Sequence, residues 1–144
     1  MESQGLVFVA LLLAALALVH AKIDYDEYEK KFNVCKEETK AEETFEETIK
    51  NEKIPTSDKG MCLVECLLRS QGVYDSDGKY KPEGAKEYFS KVFSHLPENI
   101  EKSIAIAEEC SKMDVEGLDK CEAAVKHLSC AKIKSAQQNI SLKD

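Results

Sequence analysis

The sequence predicts an all-α fold: a compact six-helix domain tied by three disulfides. Three observations predict it. Apolar residues recur at spacings of three and four through most of the chain behind its first 21 residues. Six cysteines, an even number, all follow a leader of secretory type. Nowhere do apolar and polar residues alternate over a strand's length between hairpin turns, and neither an internal repeat nor a low-complexity linker divides the chain.

The leader comes first in the chain. Residues 6–19 are fourteen apolar residues in a row, and Val19-His20-Ala21 places small residues where signal peptidase reads. A membrane-spanning helix needs about 20 apolar residues, and Lys22-Ile23-Asp24-Tyr25-Asp26-Glu27 is too polar to extend the run. The reading is a signal peptide over 1–21 and one domain over 22–144, secreted and extracellular, without stable membrane insertion. Removing the leader leaves 123 residues, enough to bury about two thirds of the unfolded surface in one modest core. The formal charge of −7 becomes −6, with the acids dispersed, which argues against nucleic acid or an anionic membrane surface as partner. The triplet Asn139-Ile140-Ser141 is a glycosylation sequon suited to an exported chain, with Asn139 as the candidate acceptor.

In the first helix, over 24–39, Asp24 and Glu27 form a capping-box-like start, and Tyr25, Tyr28, Phe32 and Cys35 follow at helical spacing. The charge-rich stretch 36–53 offers only Phe45 and Ile49 as large apolar residues, a thin stripe for a short second helix. Ile54-Pro55-Thr56-Ser57-Asp58 breaks the pattern and supplies caps. Residues 61–71 are then apolar around most of the circumference until Gly72, which predicts a central helix. Tyr74-Asp75-Ser76-Asp77-Gly78 is a turn. Its acids resemble a calcium loop only in passing, because Lys79 stands where a ligand should be and the glycine comes too early. Pro82 suits the first position of a helix running to Leu96, with Tyr88, Phe89, Val92, Phe93 and Leu96 on one side. Helices over 98–111 and 118–136 complete the set, joined by a link at 114–117.

Helix geometry restricts the fifteen ways of pairing six cysteines. Cys62 and Cys66 lie four apart on one helix, too distant to bond to each other, and Cys121 and Cys130 lie nine apart on opposite sides of another. Excluding both pairs leaves ten connectivities open. The central helix is therefore stapled twice and the last helix is gripped from two sides.

Between successive cysteines lie 26, 3, 43, 10 and 8 residues. This spacing resembles the six-cysteine signature of the insect odorant-binding proteins, in which the gaps of 3 and 8 are fixed, and the resemblance spans the whole of 22–144. It implies bridges Cys35 to Cys66, Cys62 to Cys121 and Cys110 to Cys130, interlocking around an apolar cavity. It also implies a carrier of small hydrophobic ligands such as odorants, pheromones or similar lipids, passing them to a membrane chemoreceptor. By the same resemblance the cavity is lined by Leu68, Tyr88, Val92, Phe93, Leu96, Val125 and Leu128, with Tyr74 or Tyr88 giving a ligand its hydrogen bond. A single such residue, taken alone, reads more readily as ordinary core than as a ligand contact.

A ligand hiding about 300 Å² gains roughly 7 kcal/mol before ordering costs, which points to micromolar affinity. No cofactor, metal cluster, nucleophile elbow or phosphate-cradling loop is legible, and oxidised cysteines leave no thiol nucleophile, so catalytic residues are not assigned and an enzyme is not expected. His95 and His127 remain to titrate near neutrality, but they form no histidine cluster. The short polar tail after Cys130 suits a lid or a frayed end. The expected state is a monomer or weak homodimer. Two other readings compete: a saposin-like lipid binder, which would pair Cys35 with Cys130, and the same fold used as a lipid carrier in venom, saliva or seminal fluid.

Overall fold

The computed structural model describes residues 24–141, so the leader assigned to 1–21 lies outside the described residues. Six helical segments follow one another: α1 (Tyr25–Thr39), a π-helical turn (Glu46–Lys50), α2 (Asp58–Ser70), α3 (Pro82–Val92), α4 (Pro97–Ser111) and α5 (Lys120–Gln137). Among the described residues, extended pairing is limited to one antiparallel bridge between Tyr74 and Tyr80.

The helix starts follow the local chemistry. The Asp24 carboxylate accepts the Asp26 and Glu27 N–H groups, each at 3.1 Å, but the reciprocal half of the box is missing because Glu27 turns to Lys91 at 3.1 Å and Lys31 at 3.7 Å. Ser57 caps α2 through the Gly60 N–H at 3.0 Å. A complete capping box opens α5, with Asp119 accepting from Cys121 and Glu122 while Glu122 accepts the Asp119 N–H. Both α3 and α4 begin with proline, whose missing N–H is one that needs no partner there.

Two predicted helices differ from the sequence reading. The second shrinks to the π-helical turn, since Phe45 and Ile49 are its only anchors and both pack on the first core cluster. Helix α3 ends at Val92 rather than Leu96. Pro97 pushes Leu96 out of helical conformation, and Leu96 adopts φ −133° as the cap of α4.

The core has two parts. Phe32 and Cys35 of α1, Ala41, and Leu63, Cys66 and Leu67 of α2 form one, sealed by Phe45 edge-on to Phe32 at 5.5 Å. Phe93, Ile106, Cys110 and Ile140 form the other, with Phe89, Val92, Ile100, Cys130 and Ala131 against it. Charge also ties the helices: the buried Glu65 carboxylate holds Arg69 at 3.1 Å and lies 3.9 Å from Lys120 of α5, while Arg69 reaches Glu38 of α1 at 3.2 Å. Stranding Glu65 without its cations would leave a buried charge unpaired.

The disulfides are Cys35–Cys66, Cys62–Cys121 and Cys110–Cys130. They link α1 to α2, α2 to α5, and α5 to α4. Cys35 and Cys130, the pair a saposin-like chain would join, are not bonded to each other. Among the α-helices of the described residues, α3 alone carries no cysteine. Backbone proximity holds it instead: a Cβ on Gly84 would stand 1.8 Å from the Gly72 carbonyl oxygen.

Candidate ligand cavity

The helices enclose a cavity of about 580 Å³ whose walls draw on both core clusters. Tyr25 and Tyr28 of α1, with Thr48 and Ile49 of the π-helical turn, form one part of the wall. Val64, Leu67, Leu68 and Gln71 enter from α2, and Tyr88 and Phe89 from α3, with Phe93 just beyond. Ser103, Ile106 and Ala107 belong to α4, and His127, Leu128 and Ala131 to α5. The tail folds back so that Ile140, buried against the second cluster, also lines the space. Glu52, Lys53, Lys132 and Asn139 are the polar fringe, where the Lys132 ammonium donates to the Glu52 carbonyl at 2.5 Å.

The aromatic polar groups that face this space are desolvated. Burial pushes the Tyr74 hydroxyl up to about 12, with a smaller contribution from neighbouring Tyr80. Burial also raises Tyr28, and raises Tyr88 well above the usual tyrosine range. Gln71 Nε2 donates to the Tyr28 hydroxyl, which is also paired with the Tyr88 hydroxyl. The His127 ring stacks on Tyr74 with centroids 5.4 Å apart and planes 9° from parallel. Its side chain is buried, its Nε2 makes no hydrogen bond among the described residues, and burial followed by Lys126 holds its pKa below the ordinary histidine value. The imidazole is therefore neutral at neutral pH. His95 does not line the cavity.

Of the residues singled out from sequence, Leu68, Tyr74, Tyr88, Phe93 and Leu128 line the cavity, whereas Val92, Leu96 and Val125 do not. Val92 is taken up by the second core cluster. Leu96 lost its place when α3 ended a turn early. Val125 shares a helical face with Lys132, but on α5 the cavity begins only at His127. Tyr28, Gln71, His127 and Ile140 were not anticipated as lining residues. The three-residue step from Tyr25 to Tyr28 was the available signal for the first; for Ile140, reached through the αL turn at Asn139, it was the lid reading of the tail.

The Asp75 carboxylate accepts the Asp77 and Lys79 N–H groups at 2.8 and 2.9 Å, so it closes the Tyr74–Gly78 turn. Among the described residues, the metal-ligand cluster is Cys35, Glu38 and Cys66, and both sulfurs are committed to a disulfide. No helix among the described residues is long and apolar enough to cross a membrane.

Three comparisons bear on this architecture. The model of the PBP/GOBP family matches residues 22–134. General odorant-binding protein 28a of Drosophila melanogaster is 28% identical over 137 residues, covering 90% of this chain and 92% of that protein. The solved odorant-binding protein dmelOBP28a of the same fly superposes with a TM-score of 0.67 at 20% identity, over 81% of this chain and 96% of the other. The fatty acid binding protein OBP56a from the oral disk of the blowfly Phormia regina gives 0.61 at 18% identity, over 78% and 92%. With its six helical segments, three disulfides and central apolar cavity, the chain belongs to the PBP/GOBP family of odorant-binding proteins.

Proposed function

We propose that the protein is a secreted carrier that takes a small hydrophobic molecule into the cavity, solubilises it in aqueous fluid and delivers it to a membrane chemoreceptor. The observation that carries this reading is the apolar cavity of about 580 Å³, within the range of roughly 300–1,000 Å³ common for small-molecule sites. A packed domain of this size would ordinarily collapse such a space, and disulfides linking α1, α2, α4 and α5 oppose the collapse. Affinity comes from burial, with no catalytic step. An aliphatic chain fits the walls, and a carboxylate head suits the fringe near Lys53 and Lys132, in line with the fatty acid named for the blowfly relative.

The same reading makes 1–21 a cleaved leader, the working unit a monomer or weak homodimer, and Asn139, exposed at the cavity fringe, a glycosylation acceptor. The test is displacement of a fluorescent apolar probe from the oxidised mature domain by alcohols, esters and fatty acids. One-site displacement in the micromolar range is expected. Absence of probe binding with all disulfides intact would remove the carrier reading and leave only the fold.

A further inference from the structure

Residues 43–55, between α1 and α2, form an Ω-shaped loop whose two feet meet at one point. A Cβ on Gly60 would lie 2.2 Å from the Glu43 carboxylate and 2.6 Å from Pro55 Cβ, so the bare Gly60 backbone is a berth that both feet share. Ser57, the cap of α2, donates its hydroxyl to Glu43 at 2.7 Å and fixes the first foot. Between the feet the loop is bonded to itself. The Thr48 N–H donates to the Thr44 carbonyl, Asn51 to Glu46 and Lys53 to Glu47, while Thr44 Oγ1 accepts the Glu47 N–H. Among the described residues, one hydrogen bond joins 44–53 to another element, from the Lys132 ammonium of α5 to the Glu52 carbonyl at 2.5 Å.

The far side of this loop is cavity wall, supplied by Thr48, Ile49, Glu52 and Lys53. Beside Tyr25, the lining residues exposed to solvent are Lys53 on the loop and Lys132, Ala136 and Asn139 on α5 and the turn after it. The Lys132–Glu52 bond therefore spans the strip where the cavity meets solvent. Glu52, which accepts it, holds φ 54°, a left-handed conformation that a non-glycine residue keeps only where its surroundings impose it. Giving up the bond lets Glu52 relax, and lifting 46–53 breaks none of the loop's internal hydrogen bonds. Phe45, beside the first foot, packs against the rings of Tyr25, Tyr28 and Phe32 and supplies the pivot. What opposes the motion is the withdrawal of Ile49 from the first core cluster.

Resting on the carrier reading, we infer that residues 46–53 are the door of the cavity, swinging on the feet berthed at Gly60, with the Lys132 ammonium on the Glu52 carbonyl as its latch. The disulfides leave this door free. Cys35–Cys66 and Cys62–Cys121 fix α1, α2 and α5 around it, and the loop itself contains no cysteine. Entry and exit then require one hydrogen bond and one apolar contact to yield, while the cross-linked helices stay in place.

The test is stopped-flow binding of N-phenyl-1-naphthylamine, a neutral apolar fluorophore, to the oxidised mature chain and to Lys132→Met, which keeps the apolar stem and loses the ammonium. Lys126→Met is the control, because the Lys126 ammonium, also on α5, donates to the Asp114 carbonyl and lines no part of the cavity. Lys132→Met should raise the association and release rates together by about three- to tenfold, the scale of one net hydrogen bond. Loss of a mere wall contact would raise release alone. Hydrogen exchange followed by mass spectrometry should show 46–53 exchanging as a block, sooner than α2 and α5, slowed by bound probe and quickened in Lys132→Met. Unchanged rates in Lys132→Met, a rise in release alone, or exchange in 46–53 that the variant does not alter overturns the door and leaves the carrier standing. Equal acceleration by Lys126→Met overturns the latch as well, since it would trace the effect to the charge of α5. Failure of the wild type to bind the probe overturns door and carrier together.

Discussion

Replacing Gly84 with alanine sets two magnitudes against each other. Helix propensity favours the change by up to about 1 kcal/mol in a helix interior, and less at the third position of α3, where Gly84 sits. Against it stands the Gly72 carbonyl, whose oxygen would lie 1.8 Å and whose carbon 2.8 Å from the new methyl. Relief requires α3 to retreat by more than about 1 Å, since the obstacle is backbone and has no rotamer to change. Overpacking of this kind costs about 1–3 kcal/mol, and so close an approach belongs to the upper part of that range. The expected net loss is about 2 kcal/mol, or roughly 5–10 °C in Tm for a domain of this size. Thermal unfolding of the oxidised mature domain by circular dichroism measures it, with the exposed Glu87→Ala on the same helix as the propensity control. Because α3 has no disulfide, the retreat should also displace Tyr88 and Phe89 from the cavity wall and weaken probe binding. A Gly84→Ala protein that melts at or above the wild-type temperature would refute the claim that this approach holds the wall in place.

Four further outcomes are expected. Cys62–Cys121 closes the longest loop, 59 residues against 31 and 20, so replacing both its cysteines with serine should cost most, about 4 kcal/mol against about 3 for Cys110–Cys130, read from denaturant midpoints. His127 has a folded pKa below its unfolded value of about 6.5, so stability is complete above that pH and declines as pH falls through it toward the folded value, where the unfolded chain binds the proton first. The Tm of the wild type should therefore drop more between pH 7 and pH 5 than that of His127→Phe, and parallel curves would count against the assignment. Ile140→Ala should cost about 2 kcal/mol and speed probe release in stopped-flow dissociation, with an unchanged release rate showing that the tail closes nothing. Expression in an insect secretory host should give protein whose mass falls on glycosidase treatment, and Asn139→Gln should lack that shift.

Much of the fold was legible because its signals are local. Asp24, Ser57, Pro82, Pro97 and Asp119 mark helix starts by chemistry that acts within one turn, whereas helix geometry left ten cysteine pairings open and only the resemblance to the odorant-binding proteins implied the one found. The second helix was overread, since a stripe of Phe45 and Ile49 gives the position of a packed segment and not its winding. The end of α3 was misplaced because Phe93 and Leu96 keep helical spacing to the last, whereas Pro97 acts on Leu96 through a steric clash. Five of the eight proposed lining residues face the cavity; Tyr28 and Gln71 did not stand out, since their partnership joins positions 43 residues apart. Periodicity gives each helix an inward face but does not say how far along it the empty space extends, which is why Val125 was taken for a lining residue.

The uneven stapling of the walls sets where this protein can change. Substitutions on α1, α2, α4 or α5 act on helices whose separations the disulfides fix, so their effects spread through a cross-linked frame. Helix α3 presents Tyr88 and Phe89 to the ligand while standing outside that frame. Its lining side chains can be exchanged, and its distance from the cavity adjusted, with the cross-links untouched. New ligand preferences are therefore most accessible, to selection or to an engineer, through α3, which no cysteine restrains.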